Sequence, residues 1–172
     1  MSLDVRLLRL ARTTGHTPAL ERAAARLSRL GQHGGVWLAI GAAGYVLDRE
    51  RRPQWGRAAG TVAATYALNT MTKLIVGRAR PELPDLPPLT STPTGLSFPS
   101  AHASTSFAGA RSYSRLGLPS APLYGLAGCL AASRLYLGVH YPSDVLAGAL
   151  MGAALATVVQ SAEPKPPCQG TR

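Results

Sequence analysis

The chain has 172 residues, enough for one domain with a buried core, and its 18 Lys and Arg against 8 Asp and Glu leave a formal net charge of +10. Aromatics are only 6% of the residues, and no basic stripe interleaves with them. This excludes a nucleic-acid partner and reads the charge as basic edges beside anionic lipid headgroups. Cys129 and Cys168 stand far apart, so nothing demands a disulfide and metal-type cysteine spacing is absent.

The mean hydropathy of +0.07 hides a segregated pattern, with arginines crowding residues 6–29 and 49–57 and long uncharged stretches elsewhere. Leu3, Leu7, Leu10, Leu20, Leu27 and Leu30 alternate with arginines in the first of these regions. Thr17-Pro18 divides it, Thr17 as an N-cap and Pro18 at the first helical position. Residues 1–33 are therefore predicted as an amphipathic N-terminal arm of two helices. The residues leave open whether it lies on a membrane surface or packs on its own bundle. Arg6, Arg9 and Arg12 interrupt what would be the apolar core of a secretory signal.

Five apolar segments follow. Gly34 to Leu47 is uncharged, Ala58 to Gly77 holds one charge at Lys73, and Phe98 to Leu118 has His102 near its start and Arg111 within it. Pro119 to Leu137 ends on Ser133-Arg134, and Val145 to Ala162 is clean. Several are shorter than the ~20 residues of a bilayer crossing. As a set they predict an all-α fold, a polytopic membrane bundle of about five spanning helices plus the arm. A soluble helical core would need polar outer faces, and the last segment has none. Gly148 and Gly152 form a Gly-x-x-x-Gly pair, and Gly41, Gly44, Gly125 and Gly128 add small faces for close helix approach. The domain is drawn as residues 1–162, with 163–172 as a disordered tail. Residues 81–97 hold Pro81, Pro84, Pro87, Pro88 and Pro93, which excludes a helix. That loop is either a substrate-entry lid or a connector.

Counting crossings puts the polar residues of these segments together. Arg80 follows the second span, His102 opens the third, Arg134 closes the fourth, and His140 and Asp144 precede the fifth, so all lie on one side. Lys73, Arg80 and Arg134 suit a phosphoryl group, the arginines through bidentate hydrogen bonds. Ser100 opens a helix, where hydroxyl and backbone N–H groups point at an anion. Two imidazoles allow a nucleophile and a general acid, and Asp144, four residues after His140, suits orienting that ring. Each has a plainer reading: Lys73 as a snorkelling end-of-span lysine, Ser100 and Asp144 as helix caps, and Arg134 as a positive flank. Arg111 is read as such a flank and left out, and His16 and His33 are read as unremarkable. Common sidedness favours one site over separate accidents.

Lys73-x6-Arg80-Pro81, Pro99-Ser100-Ala101-His102 and Ser133-Arg134-x5-His140-x3-Asp144 closely resemble the three-part signature of the type 2 phosphatidic acid phosphatase superfamily. That family holds membrane lipid phosphatases and vanadium haloperoxidases. Ala101 departs from it, since the pattern there usually has glycine, so the position must accept ordinary backbone geometry. The resemblance implies a hydrolase that needs neither metal nor other cofactor. In it His140, held by Asp144, forms a phosphohistidine, and His102 protonates the leaving oxygen and then assists water. Lys73, Arg80, Ser100, Arg134 and the Ala101 N–H hold the phosphoryl oxygens. The implied substrate is a phosphorylated lipid met within the cell membrane. Small bacterial members point to a polyprenyl-linked one such as decaprenylphosphoryl-5-phosphoribose, with undecaprenyl diphosphate, phosphatidylglycerophosphate and phosphatidic acid as alternatives. A non-catalytic lipid-binding protein is the reading from another class, and homo-oligomerisation is left open. A cytoplasmic arm puts the site on the cytoplasmic face, although Arg49, Arg51, Arg52 and Arg57 pull the opposite way.

Overall fold

Side-chain caps start both helices of the arm. The Ser2 hydroxyl accepts from the Val5 N–H ahead of α1 (Leu3–Thr13). The Thr17 hydroxyl accepts from the Leu20 N–H ahead of α2 (Pro18–Leu30), with Pro18 at its first position as predicted. The computed structural model describes residues 1–162, so the tail drawn at 163–172 and Cys168 lie outside the described residues. The arm packs on its own bundle. Leu8 is fully buried, and buried Arg12 donates to the carbonyls of Tyr136 (3.1 Å) and Pro87 (2.7 Å). Leu3, Leu7, Leu10, Leu20 and Leu30 stay exposed, so one face serves the bundle and the other presents leucine.

Five helices make the body: α3 (Gly35–Leu47), α4 (Arg52–Val76), α5 (Ala101–Ser114), α6 (Ser120–Tyr136) and α7 (Pro142–Ser161). Among the described residues α7 is the one helix both long and apolar enough to cross a membrane by length and composition. α4 has 25 residues but opens on charge, while α3, α5 and α6 have 13, 14 and 17, fewer than the ~20 of a full crossing. The core is aromatic at the end away from the polar residues. Tyr113 stacks between Trp37 and Trp55 with ring centroids 6.4 and 5.7 Å away. Its hydroxyl donates to the Trp37 carbonyl (2.7 Å), and the Trp37 indole donates to the Ser106 hydroxyl (3.0 Å), so each polar tip buried here has a partner. Outward-facing side chains include Leu68, Ile75, Leu146, Leu150 and Val158, all largely exposed.

α5 and α7 touch backbone to backbone. A Cβ added at Gly148 would lie 2.5 Å from the Ser100 carbonyl oxygen, and one at Gly152 would land on the Ser104 carbonyl. Here the Gly-x-x-x-Gly pair does what its spacing predicts. Gly41 and Gly44 likewise receive Tyr113 and Trp55, but Gly125 and Gly128 face open space and make no such contact. Gly152→Ala must push α7 off α5, and overpacking of this kind costs about 1–3 kcal/mol. It is expected to lower the melting temperature in detergent. Gly60→Ala in α4, where a Cβ meets nothing within 4 Å, is expected to leave it unchanged or raise it.

Candidate active site

The chain leaving α4 doubles back on itself. Arg80 N–H donates to the Gly95 carbonyl (3.1 Å), Ser97 N–H to the Arg78 carbonyl (2.8 Å), and Ala79 bridges Leu96. Leu89 N–H donates to the Leu137 carbonyl at 3.0 Å and Arg9 pairs with Asp85, so the proline-rich loop is pinned to α1 and to the end of α6. Thr90 to Thr94 of this loop line a cavity of about 740 Å³. Lys73, Arg80, Ala101, His102, Arg134 and His140 line the same cavity. Six of the residues singled out from three separate stretches of sequence therefore share one space, while Ser100 and Asp144, both fully buried, do not line it.

Arg80 fixes the state of His140. Its guanidinium donates to the Val139 carbonyl (2.6 Å), the Thr94 carbonyl (2.8 Å) and His140 Nε2 (3.2 Å). Arginine only donates, so Nε2 must accept, and the proton of the neutral ring sits on Nδ1. Nδ1 lies 3.5 Å from Asp144 Oδ2, within ion-pair range but without a formed hydrogen bond. Burial pushes His140 down to about 4; Asp144 opposes this, while Arg80, Arg134 and Lys73 reinforce it. The ring is thus neutral at pH 7, with its Nε2 lone pair held by Arg80. Burial also lowers Arg80, against the attraction of Asp144.

Asp144 caps α7 and stands within ion-pair range of His140. Oδ2 accepts from the Tyr141 N–H (2.8 Å) in a capping box at the start of α7, and Oδ1 accepts from Arg78 (2.9 Å). Ser100 N–H donates to the Asp144 carbonyl (2.9 Å), and the Ser100 hydroxyl caps α5 through the Ala103 N–H. Ala101 is the first residue of α5, and His33 is the sole non-glycine with positive φ among the described residues. The position that departs from the glycine pattern therefore accepts alanine without strain. Lys73 does not snorkel outward. Its ammonium donates to the carbonyls of Leu96 (3.1 Å) and Pro99 (3.2 Å), beneath the cavity. Arg111 lies in the last turn of α5, away from the cavity, consistent with its being left out.

Several residues at this site carry no signal that the sequence reading used. Arg78 looks redundant beside Arg80, yet it bridges Asp144 to Asp4 of the arm (2.9 Å each) and lies 4.1 Å over the Tyr141 ring. Asp4 also accepts from the Ser143 hydroxyl (2.5 Å) and N–H (3.0 Å). Burial would raise Asp4, but the hydrogen bonds from Ser143 and Arg78 outweigh it and hold the carboxyl below its ordinary value. The available clue was an acid within a basic arm. Ser28 of α2, also buried, hydrogen-bonds Arg134 through its hydroxyl, and its carbonyl accepts from His102 Nε2 at 2.8 Å. Asn69, one turn before Lys73, donates to the same Pro99 carbonyl (3.3 Å) and leaves its own oxygen unpartnered at the cavity. His33, read as unremarkable, also lines the cavity and bonds the Tyr66 hydroxyl at 2.7 Å.

Residues 54–166 match the PAP2 superfamily. A decaprenylphosphoryl-5-phosphoribose phosphatase of Mycobacterium tuberculosis is 37% identical over 145 residues, 84% of this chain and 81% of the relative. One of Mycolicibacterium smegmatis is 38% identical over 132 residues, 76% and 72% of the two chains. Among solved structures, Aquifex aeolicus LpxE superposes with a TM-score of 0.80 at 26% identity, over 94% of this chain and 96% of that one. The transmembrane PAP2-type phosphatidylglycerolphosphate phosphatase of Bacillus subtilis gives 0.71 at 25% identity, over 92% and 83%. Motif, fold and relatives agree: the chain belongs to the PAP2 superfamily.

Proposed function

We propose that this chain is a membrane lipid phosphatase that removes the 5-phosphate from a polyprenylphosphoryl-linked phosphoribose. The observation that carries the chemistry is His140, neutral, with its Nε2 lone pair beside Arg80 in a cavity that Lys73 and Arg134 also line. The relatives named for decaprenylphosphoryl-5-phosphoribose support the substrate. As Arg80 turns its N–H from His140 to the phosphoryl oxygens, the freed Nε2 lone pair attacks phosphorus, forming a P–N bond as the bond to the ribose oxygen breaks, while Asp144 stabilises the charge that develops on the ring. His102, once it has taken up a second proton as the anionic substrate enters, protonates the departing oxygen and returns to the neutral ring whose Nε2–H the Ser28 carbonyl accepts. Water, assisted by His102, then cleaves the phosphohistidine and releases phosphate. Lys73, Arg80, Arg134, the Ser100 hydroxyl and the Ala101 N–H meet the phosphoryl oxygens. Three cations do the charge neutralisation that a divalent metal performs elsewhere, so no metal is required.

The membrane reading rests on α7 and on the large apolar side chains exposed on α3, α4 and α7. In it α3 to α7 are the five crossings, and the arm, anchored through Arg12, Asp4 and Ser28, belongs to the catalytic domain. The basic arm then sets the cavity on the cytoplasmic face. With Cys129 and Cys168 replaced by serine, a Thr92→Cys thiol in the loop is expected to react with an impermeant label only from that face; labelling from outside reverses the assignment.

Purified protein in EDTA is expected to release phosphate from the phosphoribosyl lipid, and His140→Ala to lower the rate by at least about a thousandfold. Activity lost in EDTA and restored by a divalent metal would remove the metal-free mechanism, and an unaffected His140→Ala would remove the phosphohistidine. Arg78→Ala leaves Asp144 without its arginine and Asp4 adrift. Misplacement of this kind is expected to lower kcat about 10- to 100-fold with little change in KM. Arg78→Lys should recover part of the loss, and Arg111→Ala should cost nothing.

A further inference from the structure

The cavity is larger than a phosphoryl group needs. At about 740 Å³ it lies within the range of sites that enclose a whole small ligand. One wall is α2. Arg22, Arg26 and Arg29 fall at successive turns along one side of that helix, and all three line the cavity. Buried Ser28, bonded to Arg134 and His102, locks the rotation of α2 and so turns this stripe toward the site. None of the three makes a hydrogen bond or ion pair with the described residues; the acid on the same helix, Glu21, is taken by His16 at 3.1 Å. Hydroxyls of the loop at Thr90, Ser91 and Thr92 line the cavity as well. A phosphoryl cradle, a hydroxyl-rich wall and a second group of unpaired cations thus share one space.

We infer that Arg22, Arg26 and Arg29 form a second anion subsite, taking the phosphodiester that joins the sugar to its lipid while the scissile phosphate sits at His140. The inference rests on the proposed function, whose substrate carries two phosphoryl groups on one pentose. The arginines suit a phosphodiester through bidentate hydrogen bonds, and the loop hydroxyls suit the sugar between. The stripe then acts as a specificity element, favouring substrates with a second phosphate over lipids that end in a lone monoester.

The test compares the wild-type chain in neutral detergent with the triple variant R22Q/R26Q/R29Q on two substrates. One is decaprenylphosphoryl-5-phosphoribose; the other is phosphatidic acid, which has the monoester and no diester. Loss of charge-assisted hydrogen bonds is expected to raise KM for the first at least about tenfold with kcat kept, so that the kcat/KM ratio of first to second falls by a similar factor. R22K/R26K/R29K should retain most of that ratio. All three arginines are exposed, so an unchanged melting temperature is expected and checks the fold. An equal loss on both substrates, as from weaker membrane or micelle binding, overturns the inference, and so does no loss on either. Failure of the wild type on the sugar-linked substrate overturns the proposed function first, and the subsite with it.

Discussion

The site depends on how closely α7 lies against α5. His140 and Asp144 stand at the start of α7, and Ser100 and His102 at the start of α5, so the candidate site is divided between the two helices. Gly148 and Gly152 let the α7 backbone reach the carbonyls of Ser100 and Ser104, with no side chain between them. At that distance the Ser100 N–H reaches the Asp144 carbonyl (2.9 Å), a bond that ties the two helix starts together in register. A side chain at either glycine would disturb packing and catalytic register at once. The interlocked aromatics Trp37, Trp55 and Tyr113 fill the far end and leave this seam to be made of small residues.

Around the seam the backbone holds the cations. Arg80 spends two of its hydrogen bonds on the Thr94 and Val139 carbonyls, and Lys73 spends two on Leu96 and Pro99. Asn69 and Lys73 meet the same Pro99 carbonyl from α4, so one helix sets the position at which the chain enters α5. These groups are oriented before any substrate arrives, which is the condition for electrostatic stabilisation to favour a transition state without reorganisation. The proline-rich loop takes part by supplying the carbonyls, and its tether to the arm through Arg9 and Asp85 keeps them in place.

The helices and the residues at the centre were legible because the underlying signals are local. Thr17-Pro18 marks a cap, the prolines of 81–97 forbid a helix, and the Gly148–Gly152 spacing marks a close approach. Lys73, Arg80, His102, Arg134, His140 and Asp144 stood out because a charge or imidazole beside an apolar run needs a reason. The arm was harder. Its leucines and arginines fit a membrane surface as well as a bundle face, and only tertiary structure shows Arg12 buried on the Tyr136 and Pro87 carbonyls. Ser28 is an ordinary serine in an ordinary helix; its position between Arg134 and His102 follows from packing of elements more than seventy residues apart. Arg78 is hidden by its neighbour, since two arginines in Gly77-Arg78-Ala79-Arg80 give no sign that one faces Asp144 and the other His140. Gly125 and Gly128 show the opposite error, a small-residue pattern with nothing packed against it.

The charge arrangement says what the site is complete with. Apart from the exposed arginines of α2, Lys73, Arg78, Arg80 and Arg134 stand against Asp4 and Asp144, which leaves two positive charges among groups that lose much of their hydration. Arg78 is committed to the two carboxylates, so the excess belongs to Lys73, Arg80 and Arg134, the three that line the cavity. A phosphate monoester near pH 7 carries between one and two negative charges, as phosphorylated side chains do, and so restores balance. A neutral lipid would leave the cations unpaired, and extra carboxylates would have removed the excess without a ligand. Burial first, and then the same cations, keep the His140 ring deprotonated. Asp144 stands beside the imidazole without cancelling that excess, because Arg78 already answers its charge.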